Sequence, residues 1–193
     1  MFPGYSNIGT VLEFGSNVTG VSRGNRVVSM GGHASHVKVT KDALCEPLPP
    51  DLSMEAAAFF ALASFAIQAV RKARIELGES VLVIGQGIVG SLALQFARLQ
   101  GGYPVIAADL DPGRLETALG VGADHTIHAG ETDLVAAVRK ITDSDGARVV
   151  IEATGHPEVI ITALHAAGWC GRVILLGSTR GETKSVNFYR DVH

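Results

Sequence analysis

The sequence predicts an α/β fold, a doubly wound parallel sheet preceded by part of a small antiparallel β domain. Three observations carry this. From Ser80 onward, short runs of β-branched and aliphatic residues alternate with amphipathic helical segments, as parallel strands joined by right-handed crossovers require. The first such run, Val81-Leu82-Val83-Ile84, opens into Gly85-Gln86-Gly87-Ile88-Val89-Gly90, a G-x-G-x-x-G at a strand-to-helix turn. Ahead of Pro50 the character changes to short β-patterned runs separated by Gly, Asn and Ser.

The elements follow in order. Runs at 8–14, 26–30 and 34–40 read as strands of a small barrel or sheet. Residues 45–51 carry Pro47, Pro49 and Pro50, which predict a connector without regular structure. Ser53 can cap an Ala-rich segment running to Arg74, helical and broken midway. Five strands are expected at 81–84, 104–108, 124–127, 148–152 and 172–176. Helices are expected at 87–100, 112–119, 131–142 and 157–167. Helix 87–100 offers Val89, Leu92, Ala93, Phe96 and Leu99 as its buried stripe. Trp169 and Phe96 are expected in core or domain packing. The domains are then a partial β domain over 1–50, a helical connector over 51–78, and a nucleotide-binding domain over 79–193 lacking its last strand.

Bulk properties bound the function. A hydrophobic content of 47% in 193 residues is ample for a core, and a net charge of −3 offers no field for nucleic acid or an anionic membrane. No apolar run is long enough to cross a bilayer, and no signal peptide is read ahead of the first strand-like run. Cys45 and Cys170 fit no C-x-x-C spacing, so both are expected as buried small apolar groups in a reducing cytoplasm.

The chemistry lies in the glycine loop. Gly85 permits the tight turn, Gly87 lets backbone approach a pyrophosphate, and Gly90 lets the helix pack close on the strand. Gln86, Ile88 and Val89 complete the loop, and the helix start offers unpaired N–H groups to phosphate. The run Val105-Ile106-Ala107-Ala108 ends in Asp109, about 20 residues past the glycines, where a carboxylate accepts bonds from ribose hydroxyls. Asp109 could also cap the helix that starts at Pro112. Its charge repels a 2′-phosphate, so NAD is favoured over NADP; Arg114 keeps NADP open. Thr154 and Gly155 after one strand, and Leu176, Gly177 and Ser178 after another, stand at the carboxyl edge, where ligands bind such sheets. His33 and His36, like His125 and His128, are three apart; on a strand they face opposite ways and make poor metal pairs.

Together these residues resemble the medium-chain dehydrogenase/reductase superfamily, the alcohol-dehydrogenase-like enzymes with a GroES-like domain and a Rossmann-type domain. The resemblance rests on Gly4-Tyr5-Ser6-Asn7-Ile8-Gly9, Gly24-Asn25-Arg26-Val27, Pro47-Leu48-Pro49, Val150-Ile151-Glu152-Ala153-Thr154-Gly155 and Gly171-Arg172-Val173-Ile174-Leu175-Leu176-Gly177. It implies hydride transfer between NAD(H) and an alcohol or carbonyl substrate, a small molecule, in a protein that is a homodimer at full length. It also implies that the turns at 154–155 and 176–178 meet the nicotinamide side, and that Ser64 stands on a helix facing it, although a buried hydroxyl bonding back to its own helix accounts for Ser64 as well.

Two departures stand out. Zinc members of the family have Gly-His-Glu where this chain has Gly4-Tyr5-Ser6, and a later ligand position falls at Ala61. No zinc is therefore expected, and the chain is most similar to the zinc-independent hydroxyethyl-bacteriochlorophyllide-dehydrogenase-like branch. Tyr5 and Ser6 become the candidate catalytic residues, with Tyr5 either donating a proton or plugging the vacated metal position. The chain is also short for the family and is expected to be a fragment. Rival readings are a zinc-dependent alcohol or polyol dehydrogenase, a nucleotide-binding fragment without turnover, and a methyltransferase, which the full glycine spacing disfavours.

Overall fold

The computed structural model describes residues 4–40, 45–183 and 186–192. The chain divides into two compact units, 1–61 and 62–193.

In the first unit β1 (Asn7–Thr10), β2 (Arg26–Ser29) and β3 (Cys45–Pro47) form an antiparallel sheet in the order β1-β2-β3. Val27 and Val28 of β2 are buried. The expected connector therefore begins as a strand, with Val27 opposite Pro47 and Ser29 opposite Cys45. A proline is tolerated there because β3 is an edge strand and needs no donor on its outer side. Beyond it, the prolines do leave carbonyls without ladder partners, and the Arg26 guanidinium collects those of Pro49, Pro50 and Leu52 at 2.9–3.1 Å. The run at 34–40 forms no strand, and residues 34–38 are all exposed, so its alternation has no core to face. The expected strand at 8–14 stops at Thr10.

Ser53 caps α1 (Met54–Ala57) by accepting the Ala56 N–H at 3.1 Å, and α2 (Phe60–Ala73) follows after the expected break. Ser64 is exposed, not buried as one reading of it required.

The second unit is the doubly wound sheet. Its strands are β4 (Val81–Ile84), β5 (Val105–Asp109), β6 (His125–His128), β7 (Ala147–Glu152) and β8 (Ala167–Leu175), all parallel, in the order β6-β5-β4-β7-β8. Between them run α3 (Ile88–Leu99), α4 (Pro112–Gly120), α5 (Leu134–Thr142) and α6 (Pro157–Ala166), and α7 (Phe188–Asp191) comes last. Strand period divides the core in two. Val81, Val83, Val105, Ala107, Val149 and Ile151 face α2, α3 and α4. Leu82, Ile84, Ile106, Ala108 and Val150 face α5 and α6.

Three packing expectations are corrected. The buried stripe of α3 is Gly90, Ala93, Leu94 and Ala97, while Leu99 is 82% exposed. Small residues let the helix sit close on the sheet, and this moves the contact line off the bulkier Val89, Leu92 and Phe96, which flank it. Trp169 is 75% exposed and Cys170 is exposed with φ +57°. Both fall where the β7–β8 register shifts between Ala147 and Val149, and the resulting bulge turns them outward. Arg148 donates to the Trp169 carbonyl at 2.6 Å, and the Trp169 N–H donates to Asp145 at 2.5 Å, so the bulge is fastened by its backbone. No helix among the described residues is long and apolar enough to cross a membrane.

Candidate functional site

The strand order reverses at β4, so the carboxyl ends of β4 and β7 form the topological switch point where ligands bind such sheets. Both candidate turns stand there. Gly85 continues the ladder, its N–H donating to the Ala108 carbonyl at 2.8 Å, and the Ala153 N–H donates to the Ile84 carbonyl at 2.8 Å.

The three glycines are held for different reasons. Gly85 has φ +91°, and a Cβ there would stand 2.8 Å from the Thr154 methyl and 3.0 Å from its N. A Cβ at Gly90 would run into the Gly85 carbonyl, so α3 could not approach β4. Gly87 differs from both. It is the N-cap of α3 at φ −66°, and a Cβ there would meet nothing within 4 Å. Neither a left-handed φ nor a packing contact among the described residues requires glycine at 87. What it leaves is open room over the first N–H groups of α3, which have no intrahelical partners and no capping side chain. Ile88 is 55% exposed at the same helix start, while Val89 leans on the core.

Asp109 ends β5 with its side chain 8% exposed and turned to the glycine loop. Its Oδ2 accepts the Gln86 N–H at 2.6 Å; its Oδ1 accepts the N–H groups of Leu110 at 2.7 Å and Asp111 at 2.9 Å. The Arg114 guanidinium is 3.7 Å from Oδ2 and half exposed. Burial pushes the carboxyl up, but the three N–H groups and Arg114 outweigh it and hold Asp109 below the usual carboxylate value. Asp109 does not cap α4: Asp111 does, accepting the N–H groups of Gly113 at 2.8 Å and Arg114 at 3.2 Å. Gln86 is buried, donating from Nε2 to the Val83 carbonyl at 2.9 Å, and its Oε1 has no hydrogen-bond partner among the described residues. An open cradle, a helix start and an ionised carboxylate beside them fit a dinucleotide.

The other turns lie along the same edge. Thr154 and Ser178 are exposed; Leu176 is partly buried against the core. Gly155 has φ +69°, and a Cβ on it would come within 3.0 Å of the Ser178 carbonyl oxygen, so the turns after β7 and β8 touch. Sequence reasoning missed the residue beneath them. Glu152 is fully buried, and its Oε1 accepts the N–H groups of Thr154 at 2.6 Å and Gly155 at 3.1 Å and the Thr154 hydroxyl. A carboxylate closing an apolar run, as Asp109 closes its own, was the available signal.

In the first unit Tyr5 is 50% exposed and Ser6 is partly buried. They follow Gly4, at φ +77°, where a Cβ would run into the His33 ring. The positions at which the resemblance places zinc ligands hold Tyr5, Ser6 and Ala61, none of them a usual zinc donor. Among the described residues no three of His, Cys, Asp and Glu are grouped so as to hold a metal.

A family described as zinc-binding dehydrogenase matches residues 89–192. The chain belongs to this family, and with it to the medium-chain dehydrogenase/reductase superfamily. Among curated relatives, D-guloside 3-dehydrogenase of Escherichia coli is 28% identical over 188 residues, covering 96% of this chain and 54% of that protein. Sorbitol dehydrogenase of Bacillus subtilis is 31% identical over 147 residues, 76% of this chain and 41% of that protein. Among solved structures, a zinc-dependent alcohol dehydrogenase from Streptococcus pneumonia superposes with a TM-score of 0.81 at 28% identity, covering 97% of this chain and 63% of that one. The chain thus spans about half the length of the curated relatives it matches.

Proposed function

We propose that this chain is the cofactor-binding part of an NAD-dependent oxidoreductase that passes hydride between a nicotinamide and an alcohol or carbonyl carbon of a small-molecule substrate. The observation that carries the reading is Gly87: a glycine that no packing contact among the described residues requires, over a helix start without a capping side chain, with the Asp109 carboxylate bonded to the amide of Gln86 just before it. When bound, the dinucleotide supplies the hydride chemistry. The chain supplies position and charge. The α3 start and loop amides take the pyrophosphate, Asp109 takes the ribose hydroxyls with Arg114 beside it, and the turns at 154–155 and 176–178 take the nicotinamide side. Relatives named as sugar, polyol and alcohol dehydrogenases support the substrate class. The unpaired Cys170 suits a reducing cytoplasm.

Tyr5 and Ser6 are assigned to the substrate side in a zinc-independent enzyme, because neither they nor Ala61 provides the nitrogen, thiolate or carboxylate donors zinc prefers. Titration of the chain with NADH, followed by nicotinamide fluorescence, tests the main reading; no saturable change would sink it. NADPH tests the cofactor choice. The Asp109 charge should weaken NADPH about tenfold or more relative to NADH. Equal affinity would give Arg114 the larger part and favour NADP. Binding and any turnover should survive a chelator; loss restored by zinc would return the chain to the zinc-dependent group.

A further inference from the structure

Glu152 brings a carboxyl group into the protein interior. It is fully buried at the end of a central strand, and no Lys, Arg or His pairs with it among the described residues. Burying an unpaired carboxylate is costly, so its compensation must be local. Its side chain accepts two turn amides and a hydroxyl, all from Thr154 and Gly155. Its backbone carbonyl meanwhile accepts the N–H groups of Leu176 at 2.8 Å and Gly177 at 2.9 Å, from the turn after β8. One residue thus fastens both turns, the first by its carboxylate and the second by its main chain.

The turns also interlock with each other. A Cβ on Gly177 would run into Gly155 and stand 2.9 Å from Glu152 Oε2. The Gly155 backbone is in the left-handed region, a conformation that the carboxylate bonded to its N–H helps to hold. Glu152 lies on the strand face of Val150, towards α5 and α6; Asp109 lies on the face of Ala107, towards α3 and α4. The two carboxylates therefore serve opposite sides of the sheet edge.

We propose that Glu152 is a positioning residue for the nicotinamide half of the cofactor, setting the Thr154-Gly155 and Gly177-Ser178 turns while Asp109 and the glycine loop hold the ADP half. This rests on the dinucleotide reading above. Calorimetric titration of the 193-residue chain with NADH and, separately, with ADP-ribose tests it. Glu152→Gln removes the charge at nearly constant shape. It should weaken NADH by about tenfold, the size expected for losing a charge-assisted bond, and leave ADP-ribose within about threefold. Thr154→Val, which keeps the methyl against Gly85 and replaces the hydroxyl with a second methyl, should shift NADH in the same direction by less, and it carries the test if Glu152→Gln does not fold. Unchanged NADH affinity in the variants overturns the inference, and so does a parallel loss of both ligands, the mark of a merely structural role. Wild-type chain that binds neither ligand overturns the dinucleotide reading itself, a failure seen before any variant is made.

Discussion

Gly87 and Gly90 stand three residues apart, at the cap and in the first turn of α3, yet opposite forces keep them glycine. At 90 the neighbour is the chain's own backbone; at 87 it is empty space. Gly90→Ala should therefore cost about 3 kcal/mol of folding stability through overpacking, read by urea melts. Gly87→Ala should cost about 1 kcal/mol or less as a poorer helix cap, yet weaken NADH about tenfold by filling the cradle. Equal effects on folding would refute the distinction. Asp109 adds a pH signature. Its folded pKa lies below the ordinary 3.8, so its ionised form stabilises the fold above that value. The contribution is lost as pH falls below 3.8 towards the lowered folded value. Asp109→Asn should flatten the acid limb of a stability–pH curve; identical limbs would mean that the amide bonds contribute nothing.

At the scale of elements, α3 decides how close its own start, the proposed phosphate site, comes to β4. Its contact line runs through Gly90, Ala93, Leu94 and Ala97, and Leu94 is the one large side chain in it. Leu94→Ala should destabilise the second unit by about 2–5 kcal/mol. Leu99→Lys, at a site 82% exposed, should change stability by less than about 0.5 kcal/mol. Comparable losses in thermal melts would restore the stripe through Leu99 that hydrophobic periodicity suggests. Hydrophobicity-based reading underweights Gly and Ala, which bury well because they are small. One helix start was legible for another reason: Ser53 caps α1 with a side-chain oxygen, a local bond that needs no tertiary contact. Asp111 and Asp133 cap α4 and α5 in the same way, where the sequence pattern points instead to Asp109 and to a helix start at 131.

For the whole molecule, the strand order β6-β5-β4-β7-β8 brings together turns that are far apart in the chain. A ligand gripping the glycine loop and Asp109 at once ties β4, α3 and β5 into a single unit. Saturating NADH at about 100 times its dissociation constant should stabilise the native second unit by about 2.7 kcal/mol, seen as a raised melting temperature. A chain that binds NADH without this shift would be holding it outside the folded site.

The parallel sheet, the succession of strands and helices, and the loop–acid pair were legible in the residues alone, because each is written in local periodicity, glycine spacing and a carboxylate closing an apolar run. The sequence did not disclose that β3 is a strand, that Trp169 and Cys170 turn outward, or that Glu152 fastens two turns. Those depend on which backbone donors and acceptors face one another after folding: an edge that tolerates Pro47, a register shift beside Ala147, and the meeting of the β7 and β8 ends. Local chemistry selects the elements, but only the packed sheet decides which groups, distant in sequence, must satisfy each other away from water.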